Sequence, residues 1–188
     1  GTRAELIAKK CEKPIKVIHH GVDLSMFSNA KSSSVKRAYN GGGKLLLFVG
    51  RIAHEKNLHY LLECFALVLK KVPSAKLVIV GDGPQMPELK AKIRALAISQ
   101  KVILTGQIKH EKLVKSGIFG ACDVFVTTST TETGPVSVLE AQANGLVCVS
   151  VKGKGMNLIK NKVNGYVVHQ HDKKAFANAV AKLLTDSN

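Results

Sequence analysis

Apolar and polar positions along the chain fall into blocks whose period switches between two values. Lys44-Leu-Leu-Leu-Phe-Val-Gly50 is a continuous apolar run closed by glycine, the pattern of a strand buried on both faces. Asn57 then stands as a candidate N-cap, and Leu58, Leu61, Leu62, Phe65, Ala66 and Leu69 recur at i, i+3, i+4, i+7, i+8 and i+11, one face of a helix stopped before Pro73. The unit recurs. Residues 76–81 predict a strand, followed by a helix over about 86–98 with Leu89, Ile93 and Leu96 facing inward. Residues 101–105 predict a third strand and a helix near 110–119; residues 123–127 a fourth strand and a helix over 136–144. Residues 147–151 and 165–168 predict two more strands, and Phe176, Val180, Leu183 and Leu184 mark a closing helix. Residues 14–19 suggest an additional edge strand, and residues 28–43, which carry no core pattern, read as loop or linker.

Strict alternation of apolar strands with amphipathic helices predicts an α/β fold: a doubly wound parallel sheet of about six strands with helices on both faces. Such sheets bind ligands outside the carboxyl ends of their strands, which directs attention to the loops at 50–56, 81–85, 105–109 and 128–136. Arg51 and Lys56 share the first loop; they are either a pair able to neutralise a diphosphate or ordinary exposed bases. Gly81 and Gly83 follow the second strand, where glycine allows close backbone approach to a ligand but also simply permits a turn. In the fourth loop, Pro135 is suited to the first helical position, so that the free N–H groups of Val136 and Ser137 would form an anion site. Glu132 lies before that helix and Glu140 about one turn inside it; their plain readings are a dipole-complementing acid and a helix-surface acid.

Composition adds a strong bias. Lys and Arg number 28 against 13 Asp and Glu, a formal charge of +15, which attracts anions: nucleic acid, anionic lipid or phosphorylated ligands. The bases are scattered over predicted helices and loops along the chain, and aromatics are only 5%, so a base-stacking nucleic-acid reader is not expected. Of the four cysteines, Cys64, Cys122 and Cys148 sit inside apolar segments and read as buried reduced thiols; Cys11 lies near the start. No ligand spacing suggests zinc. No apolar run reaches the roughly 18 residues that span a bilayer, and the first residues lack a signal-peptide core, so a cytoplasmic placement is the expectation.

The pieces together resemble a known family. Glu132-x7-Glu140-Ala, after a polar strand end and before Asn144-Gly145 and an apolar strand, resembles the E-x7-E motif of retaining glycosyltransferase family 4. Val17-Ile-His-His-Gly-Val-Asp23 with Phe27 resembles that family's interdomain segment; Val49-Gly-Arg51 with Glu55-Lys56-Asn57 its phosphate loop; Val80-Gly-Asp-Gly-Pro84, Leu104-Thr-Gly106 and Asn164-Gly-Tyr-Val-Val168 its later strand ends. The resemblance implies a GT-B fold and, for this chain, its C-terminal donor-binding half, with 1–43 as interdomain segment and linker and 44–188 as the nucleotide-sugar domain. It implies that Arg51 and Lys56 bind the donor diphosphate and stabilise the leaving group, with Glu132 near the donor sugar. Glu140 would hold the ribose, the amides of Val136 and Ser137 with Gly134 the phosphate, Gly81 and Gly83 the donor, and Thr105 through Gln107 would lie near the base.

The implied donor is a UDP- or GDP-linked sugar, with no cofactor and no metal: none of the 13 acids forms a D-x-D pair, and Arg51, Lys56 and a helix N-terminus would replace the cation. The implied acceptor is a glycan or lipid-linked molecule, bound through an N-terminal domain absent from this chain, with an anionic membrane surface as a further partner and no nucleic acid. A fragment unable to transfer sugar by itself is therefore expected. His19-His20, Leu146 and Asn157 depart from the family pattern, and Pro135 removes one amide; these bear on sugar identity more than on nucleotide binding. The competing readings are a nucleotide-sugar epimerase or phosphorylase of the same fold, and a basic membrane- or nucleic-acid-binding module.

Overall fold

The computed structural model describes residues 20–27, 32–132, 134–154 and 157–186. Six strands form one sheet: β1 Leu45–Val49, β2 Lys76–Val80, β3 Val102–Gly106, β4 Val124–Thr127, β5 Val147–Val151 and β6 Gly165–Val168. Their order is β3-β2-β1-β4-β5-β6, and every neighbouring pair is parallel. The chain winds outward from β1 to the β3 edge, then returns to place β4 beside β1, so the winding direction reverses between β1 and β4. In doubly wound sheets ligands bind outside the carboxyl ends of the strands at such a reversal.

Helices cover both faces. Helices α2 (Leu58–Leu69), α3 (Met86–Ala95) and α7 (Lys173–Thr185) enclose one core with Phe48, Ile79, Val126, Val149 and Phe176. On the other face, α1 (Ser32–Asn40), α4 (His110–Lys115), α5 (Ile118–Ala121) and α6 (Val136–Ala143) enclose Leu47, Val78, Phe119, Phe125 and Cys148. The alternation of strand residues between the two cores is the period-2 pleat, with apolar side chains needed on both sides.

The predicted doubly wound sheet is present, with several local corrections. Helix α1 occupies part of the 28–43 stretch expected to be loop or linker. Its apolar content is little more than Val35 and Tyr39, packed on the second core; Lys36 Nζ bonds Asp123 Oδ1 at 2.7 Å and Asn40 Nδ2 bonds the Lys44 and Ser74 carbonyls. Tertiary contacts therefore hold a helix that its own periodicity does not announce. The helix expected near 110–119 is two short ones, broken where Gly117 adopts a left-handed φ of +77°. The buried stripe of α2 includes Cys64 and Val68, while Ala66 and Leu69 are only partly buried. Asn57 precedes α2 in a left-handed conformation (φ 50°) and makes no side-chain cap. Pro135 is the N-cap of α6, one position earlier than expected, with its carbonyl accepting from the Val138 and Leu139 amides. The suggested edge strand at 14–19, Cys11 and His19 lie outside the described residues.

Candidate functional site

The loops after β1 and β4 meet at the winding reversal. The Thr128 hydroxyl lies 3.0 Å from the carbonyls of both Lys56 and Asn57, and the Thr130 amide donates to Glu55 O. On its far side the β4 loop is clasped by the segment after β5: the Glu132 amide donates to Lys154 O at 2.8 Å and the Lys154 amide to Thr130 O at 3.1 Å. Thr127, Thr128 and Ser129 are buried, so this polar strand end is internal structure. The clasp brings together two residues 76 positions apart: Lys56 Nζ and Glu132 Oε1 form an ion pair at 2.6 Å, their side chains 19% and 13% exposed. Arg51, on the same loop as Lys56, is paired instead with Glu55 at 2.8 Å on the surface, and its guanidinium holds the Glu55 carboxyl below the usual range.

Beside this pair lies an open cavity of about 630 Å³ at the ends of β1 and β2, lined by Arg51, Gly81, Asp82, Gly83, Gln107 and Ile108 among others. Its floor explains the two glycines. The β1–β2 ladder continues past the strand ends, with Gly50 N–H on Val80 O, Ile52 N–H on Asp82 O and Gln85 N–H on Ile52 O. A Cβ on Gly81 would stand 1.9 Å from Gly50 O, and one on Gly83 2.3 Å from Ile52 O. Both glycines are thus required by loop-on-loop packing, whatever else they contact. Thr105 gives its hydroxyl to backbone carbonyls, Gly106 O at 3.0 Å, while Gln107 and Ile108 of the same loop line the cavity.

Helix α6 begins beyond the clasped loop. The Val136 and Ser137 amides belong to its first turn, where no intrahelical acceptor exists. Gly134 lies under the imidazole of His20, whose Cδ2 would be 2.6 Å from a Cβ there. Glu140 is not a surface acid: it is 3% exposed, and its Oε1 is bonded at 2.5 Å to Nε2 of His110 at the start of α4. Sequence reasoning passed over His110, a half-exposed residue 30 positions from its partner with no periodic signal. Glu55 was visible only as a neighbour of Lys56.

Burial pushes the thiols of Cys64, Cys122 and Cys148 up to about 12; all three are free and buried, as their apolar settings suggested. Among the described residues no three His, Cys, Asp or Glu side chains gather as metal ligands, and no helix is long and apolar enough to cross a membrane.

Residues 30–188 match the family model of glycosyl transferases group 1. The chain is 35% identical to the alpha-monoglucosyldiacylglycerol synthase of Streptococcus pneumoniae, over 93% of this chain and 40% of that protein. It is 32% identical to the UDP-Gal:alpha-D-GlcNAc-diphosphoundecaprenol alpha-1,3-galactosyltransferase of Escherichia coli, over 92% and 46%. The chain thus spans less than half the length of these curated relatives. Anabaena HepE in complex with UDP-glucose superposes with a TM-score of 0.78 at 26% identity, over 91% of this chain and 48% of that one. The separately crystallised C-terminal domain of a Francisella tularensis group 1 glycosyl transferase shares the fold at a TM-score of 0.74 and 24% identity, over 88% and 89%. With its sheet order and this family match, the chain belongs to the group 1 glycosyltransferases.

Proposed function

We propose that this chain is the nucleotide-sugar-binding half of a retaining glycosyltransferase, which moves a sugar from a UDP- or GDP-linked donor to a glycan or lipid-linked acceptor held by an N-terminal domain. The observation that carries the reading is the Lys56–Glu132 ion pair at the winding reversal, on the segment that leads into the first turn of α6 and on the loop whose Arg51 lines the cavity. Departure of a nucleoside diphosphate builds negative charge on the β-phosphate. Two cations and free helix amides at one crevice are suited to stabilise it without a metal. In the free domain each cation holds a carboxylate, Arg51 with Glu55 and Lys56 with Glu132. A diphosphate arriving at Lys56 competes with Glu132, and the displaced carboxylate becomes free to accept hydrogen bonds from the sugar hydroxyls. Binding of the phosphates and presentation of the sugar-facing acid are then one event. Glu140 receives the ribose, and the cavity floored by Gly81 and Gly83 receives the base near Gln107.

The relatives support this reading through their names: HepE is described in complex with UDP-glucose, and the Escherichia coli relative uses a UDP-linked galactose. The Streptococcus pneumoniae relative makes a glycosylated diacylglycerol, which with the charge of +15 favours a cytoplasmic protein that works at an anionic membrane surface. The test is calorimetric titration with UDP, GDP and UDP-glucose in the presence of EDTA. Saturable binding that survives the chelator is the expected result. Binding abolished by EDTA and restored by Mg²⁺ or Mn²⁺ would contradict the metal-free site, and no binding of any nucleotide would remove the reading.

A further inference from the structure

Glu140 is 3% exposed, and a buried carboxylate with few partners is under tension: it needs donors, and its orientation is fixed by whichever donors it has. Its Oε1 has one, the Nε2 of His110 at 2.5 Å. Its second oxygen has no hydrogen-bond partner among the described residues, and the neighbouring Asn144 side chain goes to the Glu140 carbonyl, not to the carboxylate. His110 itself is anchored by position: it opens α4, whose Leu113 packs into the second core and also lines the cavity, and it follows Gln107 and Ile108 on the loop that forms the cavity wall.

We propose that His110 is a positioning residue for nucleoside recognition. It occupies one oxygen of Glu140 and thereby turns the other toward the ribose diol of the bound nucleotide. The inference rests on the reading of Glu140 as the ribose acid and adds a residue to it. A carboxylate with both oxygens uncommitted could rotate and present either; one held at Oε1 presents a single acceptor in a fixed direction, which lowers the ordering cost of binding. The arrangement couples the two walls of the site. His110 moves with the base-side loop and Glu140 with the phosphate-side helix, so a nucleoside that fits the loop also sets the acid. It also makes the device specific to ligands that own a ribose: neither pyrophosphate nor a nucleotide without ribose hydroxyls can use it.

The experiment is calorimetric titration of the wild-type chain and of His110→Ala, His110→Gln, Glu140→Ala and the His110→Ala/Glu140→Ala double variant. The ligands are UDP or GDP, whichever the wild type binds, its 2′,3′-dideoxy form, and pyrophosphate. Glutamine places an amide nitrogen near the position of Nε2. His110→Ala should weaken the nucleotide about threefold to tenfold, His110→Gln should restore most of it, and neither should change affinity for the dideoxy form or pyrophosphate. The double variant should bind no more weakly than Glu140→Ala alone, because a positioning residue has nothing left to position. Additive losses, or a wild-type affinity for His110→Ala while Glu140→Ala loses the preference for ribose, overturn the role of His110 and leave the ribose acid standing. If Glu140→Ala binds nucleotide and dideoxynucleotide in the wild-type ratio, the ribose assignment itself is wrong and the proposal falls with it. Circular dichroism of each variant separates these outcomes from misfolding.

Discussion

Glu132→Ala is the sharpest probe of the site. If Glu132 only faced the sugar, its removal would leave the affinity for a bare nucleoside diphosphate unchanged. The ion pair with Lys56 predicts otherwise. At 2.6 Å, with side chains 13–19% exposed, the pair is partly screened. Its gross Coulomb attraction is about 6 kcal/mol at an effective dielectric of 20, and its net worth as a charge-assisted hydrogen bond about 1.5–3 kcal/mol. Deleting the acid leaves Lys56 unpaired but reachable by water, so the domain should lose about 1–2 kcal/mol, a fall in Tm of about 2–8 °C for a chain of this size. A diphosphate no longer has to displace a carboxylate, so UDP or GDP should bind about threefold to tenfold more tightly. A nucleotide sugar gains the same at its phosphates but loses the acid that receives its hydroxyls. The ratio of nucleotide-sugar to nucleotide affinity should therefore fall about tenfold. Calorimetry with both ligands, alongside thermal unfolding, measures all three quantities. A folded Glu132→Ala chain that binds bare nucleotide more weakly than wild type would refute the competition between the acid and the phosphates.

Gly81→Ala should cost about 3 kcal/mol or more in denaturant unfolding, because its Cβ would collide with Gly50 O at a φ of +142°, whereas Gly145→Ala, at φ +77° with nothing within 4 Å, should cost only about 1 kcal/mol. Glu63 bridges Lys92 of α3 and Lys173 of α7, and the hydrogen bonds from these two lysines hold its carboxyl below the ordinary 4.5. A depressed folded pKa contributes stability that is fully present above about 4.5 and lost as pH falls through the lower folded value, so Glu63→Gln should flatten the acid limb of a stability-against-pH curve relative to wild type. A thiol titration with a disulfide reagent at pH 7.5 should consume at most Cys11 in the native chain and all four cysteines in guanidinium, since Cys64, Cys122 and Cys148 are buried. Co-sedimentation at low salt should recover more chain with anionic than with neutral vesicles; equal recovery would remove the membrane surface from the proposal.

The sheet was legible because its strands are apolar runs bounded by glycine or polar residues. The ranges 147–151 and 165–168 coincide with β5 and β6, and β1 falls inside Lys44–Gly50. Even the less buried β3 shows in the sequence, since an edge strand keeps its apolar composition. Local rules failed where distant contacts decide. Ser32–Asn40 is helical through Lys36 on Asp123 and Asn40 on two carbonyls, none visible in nine mostly polar residues. The same limit applies to the site. The resemblance named Lys56, Glu132 and Glu140, but that the first two hold each other, and that the third is buried against His110, depends on side chains brought together by the fold across 76 and 30 residues.

Helix α1 has a practical consequence for anyone producing the domain by itself. Asp123 receives Lys36 at one oxygen and the Leu45 amide at the other, while Val35, Tyr39 and the edge-on ring of Phe27 cover the region of Phe119. A recombinant version begun at Lys44, where the apolar alternation starts, would keep every strand of the sheet. It would nevertheless strip the lid from an aromatic patch and leave the Asp123 carboxylate at the head of β4 with only Lys44 as a distant counter-charge, 4.0 Å away. Such a protein should express but self-associate through the uncovered face, and its yield in soluble form, compared with one begun before Ser32, is set by a helix outside the sheet pattern.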